Sequence, residues 1–123
     1  MCSHNQLTSL PELPNSLESL QCYNNQLNSL PELPNSLIYL GCYDNNLTEL
    51  PELPNSLQKL NCDNNKLTSL PKLPNSLQEL NCENNKYNKL SVLPEIPNSL
   101  QELYCEGNTF IKKQKYKYLN KFN

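Results

Sequence analysis

The apolar residues of one stretch of the chain fall at Leu17, Leu20, Cys22, Leu27, Leu30 and Leu33, with polar residues and prolines between them, and the same spacing restarts at Leu37. The octet LPELPNSL occupies residues 10–17, 30–37 and 50–57 and returns as LPKLPNSL at 70–77, so the period is 20 residues. Around L-x-C the apolar positions alternate with polar ones, which predicts a short strand with leucine and cysteine turned inward. A unit this short buries its apolar face only against its neighbours, so the strands are expected to stack in parallel. An asparagine stands three residues after each cysteine. Its amide both donates and accepts, which suits a ladder that satisfies the backbone of its own turn and the next. Proline governs the return path: Pro31 and Pro34 fix their own φ and keep Leu30 and Leu33 out of helical geometry. The outer arc is therefore expected to be extended or polyproline II, with a leucine at every third position along the edge that faces the core.

Two ungapped columns set the length of the array. The cysteines are Cys2, Cys22, Cys42, Cys62, Cys82 and Cys105, and the asparagines are Asn5, Asn25, Asn45, Asn65, Asn85 and Asn108. About six repeats are expected over residues 1–111. The last step is 23 residues, and its three extra residues enter near Leu90 and Val92, in the loop rather than the strand.

Composition agrees with this reading and narrows it. Leucine and asparagine supply 46 of the 123 residues, with no alanine, arginine or tryptophan, one valine and three isoleucines. A helix bundle or a valine-rich sheet lacks its usual material. Leucine must build the core almost alone. The net charge of -2 hides an asymmetry, because residues 1–111 carry 12 acids against 5 lysines, whereas residues 112–123 carry 5 lysines and no acid. The acidic body argues against a nucleic-acid partner. No apolar run reaches membrane-spanning length, and the opening MCSHNQLTSL lacks the basic and apolar regions of a signal peptide. A cytoplasmic location with reduced thiols is expected.

The unit L-x-x-L-x-C-x-x-N-x-L-x-x-L-P-x-L-P-N-S satisfies the leucine-rich repeat pattern, with cysteine at the third leucine position. It resembles the short repeats of bacterial effectors of the YopM/IpaH type from Cys2 to about Phe110, and it is similar also to asparagine-rich leucine-rich repeat proteins of large amoebal DNA viruses. The resemblance implies a solenoid of the α/β-horseshoe class, with parallel strands on the concave face, that serves as a protein-interaction scaffold. It implies a host cytoplasmic location if the source is a pathogen or a virus. Effector-type ubiquitin ligases add a catalytic domain, for which no residues remain here, so no enzymatic activity is expected. Cys42-Tyr43-Asp44 matches the C-x-D motif of those ligases, but Cys42 also lies in the inward column.

No cofactor or metal site is expected. The cysteines lack a C-x-x-C pair or a partnering histidine, and six inward thiols read most simply as small buried hydrophobes. His4 sits in the first turn with no catalytic partner. Specificity is expected on the concave face, where the repeats diverge. The residues before the cysteines are Gln21, Gly41, Asn61, Asn81 and Tyr104. Those after them are Ser3, Tyr23, Tyr43, Asp63, Glu83 and Glu106. Further columns run Ser19, Tyr39, Lys59, Glu79 and Glu102, and His4, Asn24, Asp44, Asn64, Asn84 and Gly107. The expected partner-binding residues are Tyr23, Tyr39, Tyr43, Asp63, Glu79, Glu83, Glu102, Tyr104 and Glu106. Tyrosine supplies interface anchors, and the acids select a basic peptide or protein surface, or less readily a divalent cation. Other readings stay open. The amino-terminal repeat has nothing stacked before it, which would permit end-to-end association. The chain also fits a non-catalytic piece of a larger repeat protein, such as an effector-type ubiquitin ligase, or a decaying array of recent duplicates with no specific partner. Residues 112–123 read as a basic cap or tail.

Overall fold

A computed structural model describes residues 2–85, 90 and 92–108. Its regular elements are five strands of three residues each: β1 (Ser19–Gln21), β2 (Tyr39–Gly41), β3 (Lys59–Asn61), β4 (Glu79–Asn81) and β5 (Glu102–Tyr104). They form one parallel sheet in the order β1-β2-β3-β4-β5. The register places like on like, with Leu20, Leu40, Leu60, Leu80 and Leu103 paired in succession. Each return arc brings the chain back one strand spacing further along.

The expected strands at L-x-C are present, and each cysteine lies one residue beyond its strand. The ladder nevertheless continues through it: the Cys22, Cys42, Cys62 and Cys82 amides donate to the next turn's Gly41, Asn61, Asn81 and Tyr104 carbonyls at 2.8–2.9 Å. Two residues further on, Asn24, Asp44, Asn64 and Asn84 donate to Tyr43, Asp63, Glu83 and Glu106. The expectation of about six repeats is corrected to five strands joined by four full turns among the described residues. The first unit joins the ladder through Cys2 and His4, whose amides donate to the Gln21 and Tyr23 carbonyls, and through Leu7, whose carbonyl accepts the Gln26 amide.

Behind the sheet, leucine fills the interior as its spacing demands. Leu27, Leu37, Leu47, Leu57, Leu67 and Leu77 are fully enclosed, and Leu33, Leu53 and Leu73 from the outer arcs close the core from the other side. No helix occurs among the described residues. Each arc ends in a tight turn, in which the amides of Leu17, Leu37, Leu57, Leu77 and Leu100 bond the carbonyls of Pro14, Pro34, Pro54, Pro74 and Pro97. The insertion before β5 leaves the register intact, because Leu90, Leu93 and Ile96 keep the three-residue interval, the first two buried and the third packed against the core.

Two ladders of side chains hold the turns together. Asn65 donates to the carbonyls of Cys42, Cys62 and Asp63 at 3.1–3.2 Å and accepts the amide of Leu47 at 3.0 Å. Asn25, Asn45 and Asn85 repeat this arrangement. The second ladder has no counterpart in the sequence reading. Ser36, Ser56, Ser76 and Ser99 donate to the carbonyls of Leu17, Leu37, Leu57 and Leu77 at 2.6–2.7 Å, tying the outer arcs. The basic segment 112–123, read as a cap or tail, lies outside the described residues.

Candidate functional site

The side chains that point away from the core along the strands make the concave face, and the structure brings the predicted residues there into two groups. On the amino-terminal side, Tyr23 and Tyr43 occupy successive rungs and stack with ring centroids 4.4 Å apart and planes inclined by 6°. The His4 ring lies perpendicular to that of Tyr23, with centroids 5.1 Å apart. Tyr39 lies across Gly41, since a Cβ there would stand 2.6 Å from the Tyr39 hydroxyl. Gly41 thus makes room for the third tyrosine. All three are half-buried, and burial together with the neighbouring Tyr23 pushes the Tyr43 phenol up to about 12.

The carboxyl-terminal side is acidic. Asp63, Glu83 and Glu106 follow Tyr43 on successive rungs, while Glu79 pairs with Lys59 at 3.3 Å and Glu102 accepts a 2.8 Å bond from the Tyr104 hydroxyl. That bond holds the exposed Tyr104 phenol protonated to higher pH than usual. Asp63 accepts from neutral groups, the Asn64 side-chain amide at 3.2 Å and its own backbone amide. Burial first, then Asp44 and Glu83, raises its carboxyl above the ordinary aspartate range. A folded-state value raised in this way means that ionisation opposes folding: the contribution is present with the acid protonated and is lost as pH rises through the folded value. Asp63→Asn is expected to raise the melting temperature at neutral pH by about 2 °C, discounted for partial exposure, and to flatten its fall as pH rises from about 4 toward neutrality. Thermal melts across that range check this, and a lower melting temperature for the variant contradicts it.

No three histidine, cysteine, aspartate or glutamate side chains converge as a metal-ligand group among the described residues.

One concave column has a different cause from the one the sequence implied. His4, Asn24, Asp44, Asn64 and Asn84 all have φ between 50° and 59°, and Gly107 has φ 69°. This is left-handed backbone, which asparagine, aspartate, histidine and glycine tolerate better than other residues. The narrow choice at this column was the available signal. Its composition reports a turn rather than a recognition surface.

The thiols are core. Cys22, Cys42, Cys62 and Cys82 have no solvent exposure and no disulfide joins the six cysteines. Burial pushes Cys22 up to about 12 and raises Cys42, Cys62 and Cys82 strongly, so none is a thiolate near neutrality. Cys42 of the C-x-D sequence is therefore enclosed and protonated. A thiol reagent is expected to label only the half-buried Cys2 rapidly in the native protein, and all six cysteines once the chain is unfolded. Rapid native labelling of several would contradict the packing.

Comparison with known proteins bears on this geometry. The Leucine Rich Repeat family matches residues 56–75. Among solved structures, YopM from Yersinia enterocolitica WA-314 is 48% identical over 80% of this chain, with a TM-score of 0.75. YopM from Yersinia pestis, described as a leucine-rich effector protein, is 46% identical over 88%, with a TM-score of 0.79. A Shigella effector LRR domain is 38% identical over 89%, with a TM-score of 0.81. The chain is a leucine-rich repeat solenoid, similar to those of these bacterial effectors. It spans 22%, 31% and 50% of the lengths of these three chains, respectively. No curated protein matches it. Effector-type repeats of this kind form a protein-interaction scaffold, typically without catalysis, and among the described residues no helix is long and apolar enough to cross a membrane.

Proposed function

We propose that this effector-type array binds a protein partner on its concave face, with Tyr23, Tyr39, Tyr43 and Tyr104 as anchors and Asp63, Glu79, Glu83, Glu102 and Glu106 as selectors of a basic surface. The observation that carries the proposal is the contrast between faces. Within the repeats the core leucines, ladder asparagines and arc serines barely change, while the outward strand positions run from stacked tyrosines to stacked acids. Half-buried aromatic rings on a rigid sheet make interface anchors at low ordering cost, because the unbound protein already holds them. The array acts without catalysis. Its protonated, disulfide-free thiols suit a reducing compartment such as a host cytoplasm, and the edge at Cys2 is a second surface, for end-to-end stacking.

Capture from cytosol by the wild-type chain should be compared with capture by a Tyr23→Ser, Tyr39→Ser, Tyr43→Ser variant and by a Glu32→Gln, Glu52→Gln variant of the outer arcs. Recovery should fall at least tenfold for the first and stay unchanged for the second. Equal recovery by all three would sink the concave reading. Light scattering that gives a mass rising with concentration would favour stacking instead.

A further inference from the structure

The tyrosine stack stops at a specific place. Tyr23 covers one face of the Tyr43 ring in a nearly parallel stack, and successive rungs of the sheet advance in one direction, so the other face of Tyr43 is turned to the next rung. The residue at that rung is Asp63, whose backbone carbonyl accepts the Asp44 amide at 3.1 Å and whose side chain has neutral amides as its partners. Aspartate is a shorter side chain than tyrosine, so the outer part of that ring face extends past Asp63 and leaves a step, or notch, with an aromatic plate as its wall and a carboxylate at its base. Asp44 and Glu83 add negative charge on either side.

We propose that this notch receives an arginine side chain of the protein partner, the guanidinium stacking on Tyr43 as the next plate of the column while donating to Asp63. The assignment rests on the concave-face reading and specifies its chemistry. A guanidinium is planar and weakly hydrated, so it can lie flat on a ring and bond a carboxylate in the same position, whereas an ammonium is a hydrated point charge that does only the second well. The gap between rungs, about 4.8 Å, matches repeated stacking of flat groups, as the tyrosine pair already shows. The chain cannot fill the notch itself with this group, because it contains no arginine, and Lys59, on the neighbouring strand position, is engaged by Glu79. The occupant is therefore supplied from outside, by a basic segment whose remaining charges run along Glu83 and Glu106.

The test uses the full chain and three blocked pentapeptides, Gly-Gly-Arg-Gly-Gly and the same peptide with lysine or citrulline at the centre, titrated while the backbone amide resonances of residues 61–65 are followed by NMR. The arginine peptide should bind about fivefold more tightly than the lysine peptide, and citrulline, flat but uncharged, should bind least. Tyr43→Leu should bring the arginine-to-lysine ratio close to one, Tyr43→Phe should preserve it, and Asp63→Asn should weaken both cationic peptides about tenfold. Glu32→Gln, on the outer arc, should change nothing. Equal affinity for arginine and lysine, an unchanged ratio in Tyr43→Leu, or no saturable shift with any peptide each overturns the proposal. If the preference is absent while the triple tyrosine variant still loses its captured partner, only the notch falls. If capture also survives that variant, the concave reading falls with it.

Discussion

Replacing Asn65 by alanine is expected to lower stability by about 3–4 kcal/mol, one of the two largest effects of any single substitution in the array. The reason is the number of hydrogen bonds made by one buried side chain. The amide donates to the carbonyls of Cys42, Cys62 and Asp63, which keep second donors in the Asn45 and Asn85 side chains and the Asp44 backbone, and its oxygen is the acceptor for the amide of Leu47, so alanine removes four bonds across two consecutive turns and orphans the Leu47 amide. Asn65 itself is only 3% exposed, which leaves water little access to replace the lost partners. Asn65→Asp is expected to be at least as harmful, because an aspartate keeps the acceptor but presents a negative charge to three carbonyl oxygens. Asn25→Ala should cost less, since its ladder serves the half-buried first turn, where the amide it satisfies belongs to Leu7. Chemical denaturation of the three variants decides the matter. An Asn65→Asp protein as stable as the wild type would show that donation to the carbonyls is unimportant.

Leu67→Ala should cost a similar amount, about 3–4 kcal/mol, by a different route. Leu67 has no exposed surface and is packed between the sheet and the outer arc, so the substitution removes apolar burial and leaves a cavity that a strand and a proline-fixed arc cannot collapse to fill. Position in the array matters as well as burial. Each turn of a solenoid is stabilised by its neighbours, so damage at a central turn uncouples both sides, whereas the partly exposed Leu13 near the first turn has one neighbour to lose. Leu13→Ala is expected to cost about 1 kcal/mol. Melting the two variants in parallel checks the contrast, and equal losses would contradict the coupling between turns.

How much of this was legible beforehand follows from which groups set the local structure. The period, the inward leucines and cysteines, the asparagine ladder and the helix-free outer arc could all be read from side-chain type, because Pro31, Pro34, Leu30 and Asn45 each permit few backbone states or few burial states. The serine ladder was not legible. Ser36 and Ser56 follow asparagine in a turn sequence where a hydroxyl would serve equally well exposed, and only the stacking of arcs brings the carbonyls of Leu17 and Leu37 within reach. The left-handed column was visible but misread. His4, Asn24 and Asp44 look like varied surface polarity until their φ values show a shared backbone demand. On the concave face, the sequence located the tyrosines, but the parallel stack of Tyr23 on Tyr43 and the lodging of Tyr39 over Gly41 depend on rung spacing and on a missing Cβ in the adjacent column. The strand count came out at five rather than six because a turn can join the hydrogen-bond ladder through Cys2 and His4 without contributing a strand.

The central claim is that scaffold and recognition surface are separate sets of residues, the first made of leucine, asparagine, serine and proline, the second of the nine outward tyrosines and acids. The most direct measurement is partner recovery by a chain in which Tyr23, Tyr39, Tyr43, Asp63, Glu79, Glu83, Glu102, Tyr104 and Glu106 all carry serine or asparagine, made alongside its thermal melt. The predicted result is a melting temperature within about 4 °C of wild type together with loss of the partners that the wild type captures. A chain that still recovers those partners, or one that no longer folds, would contradict it.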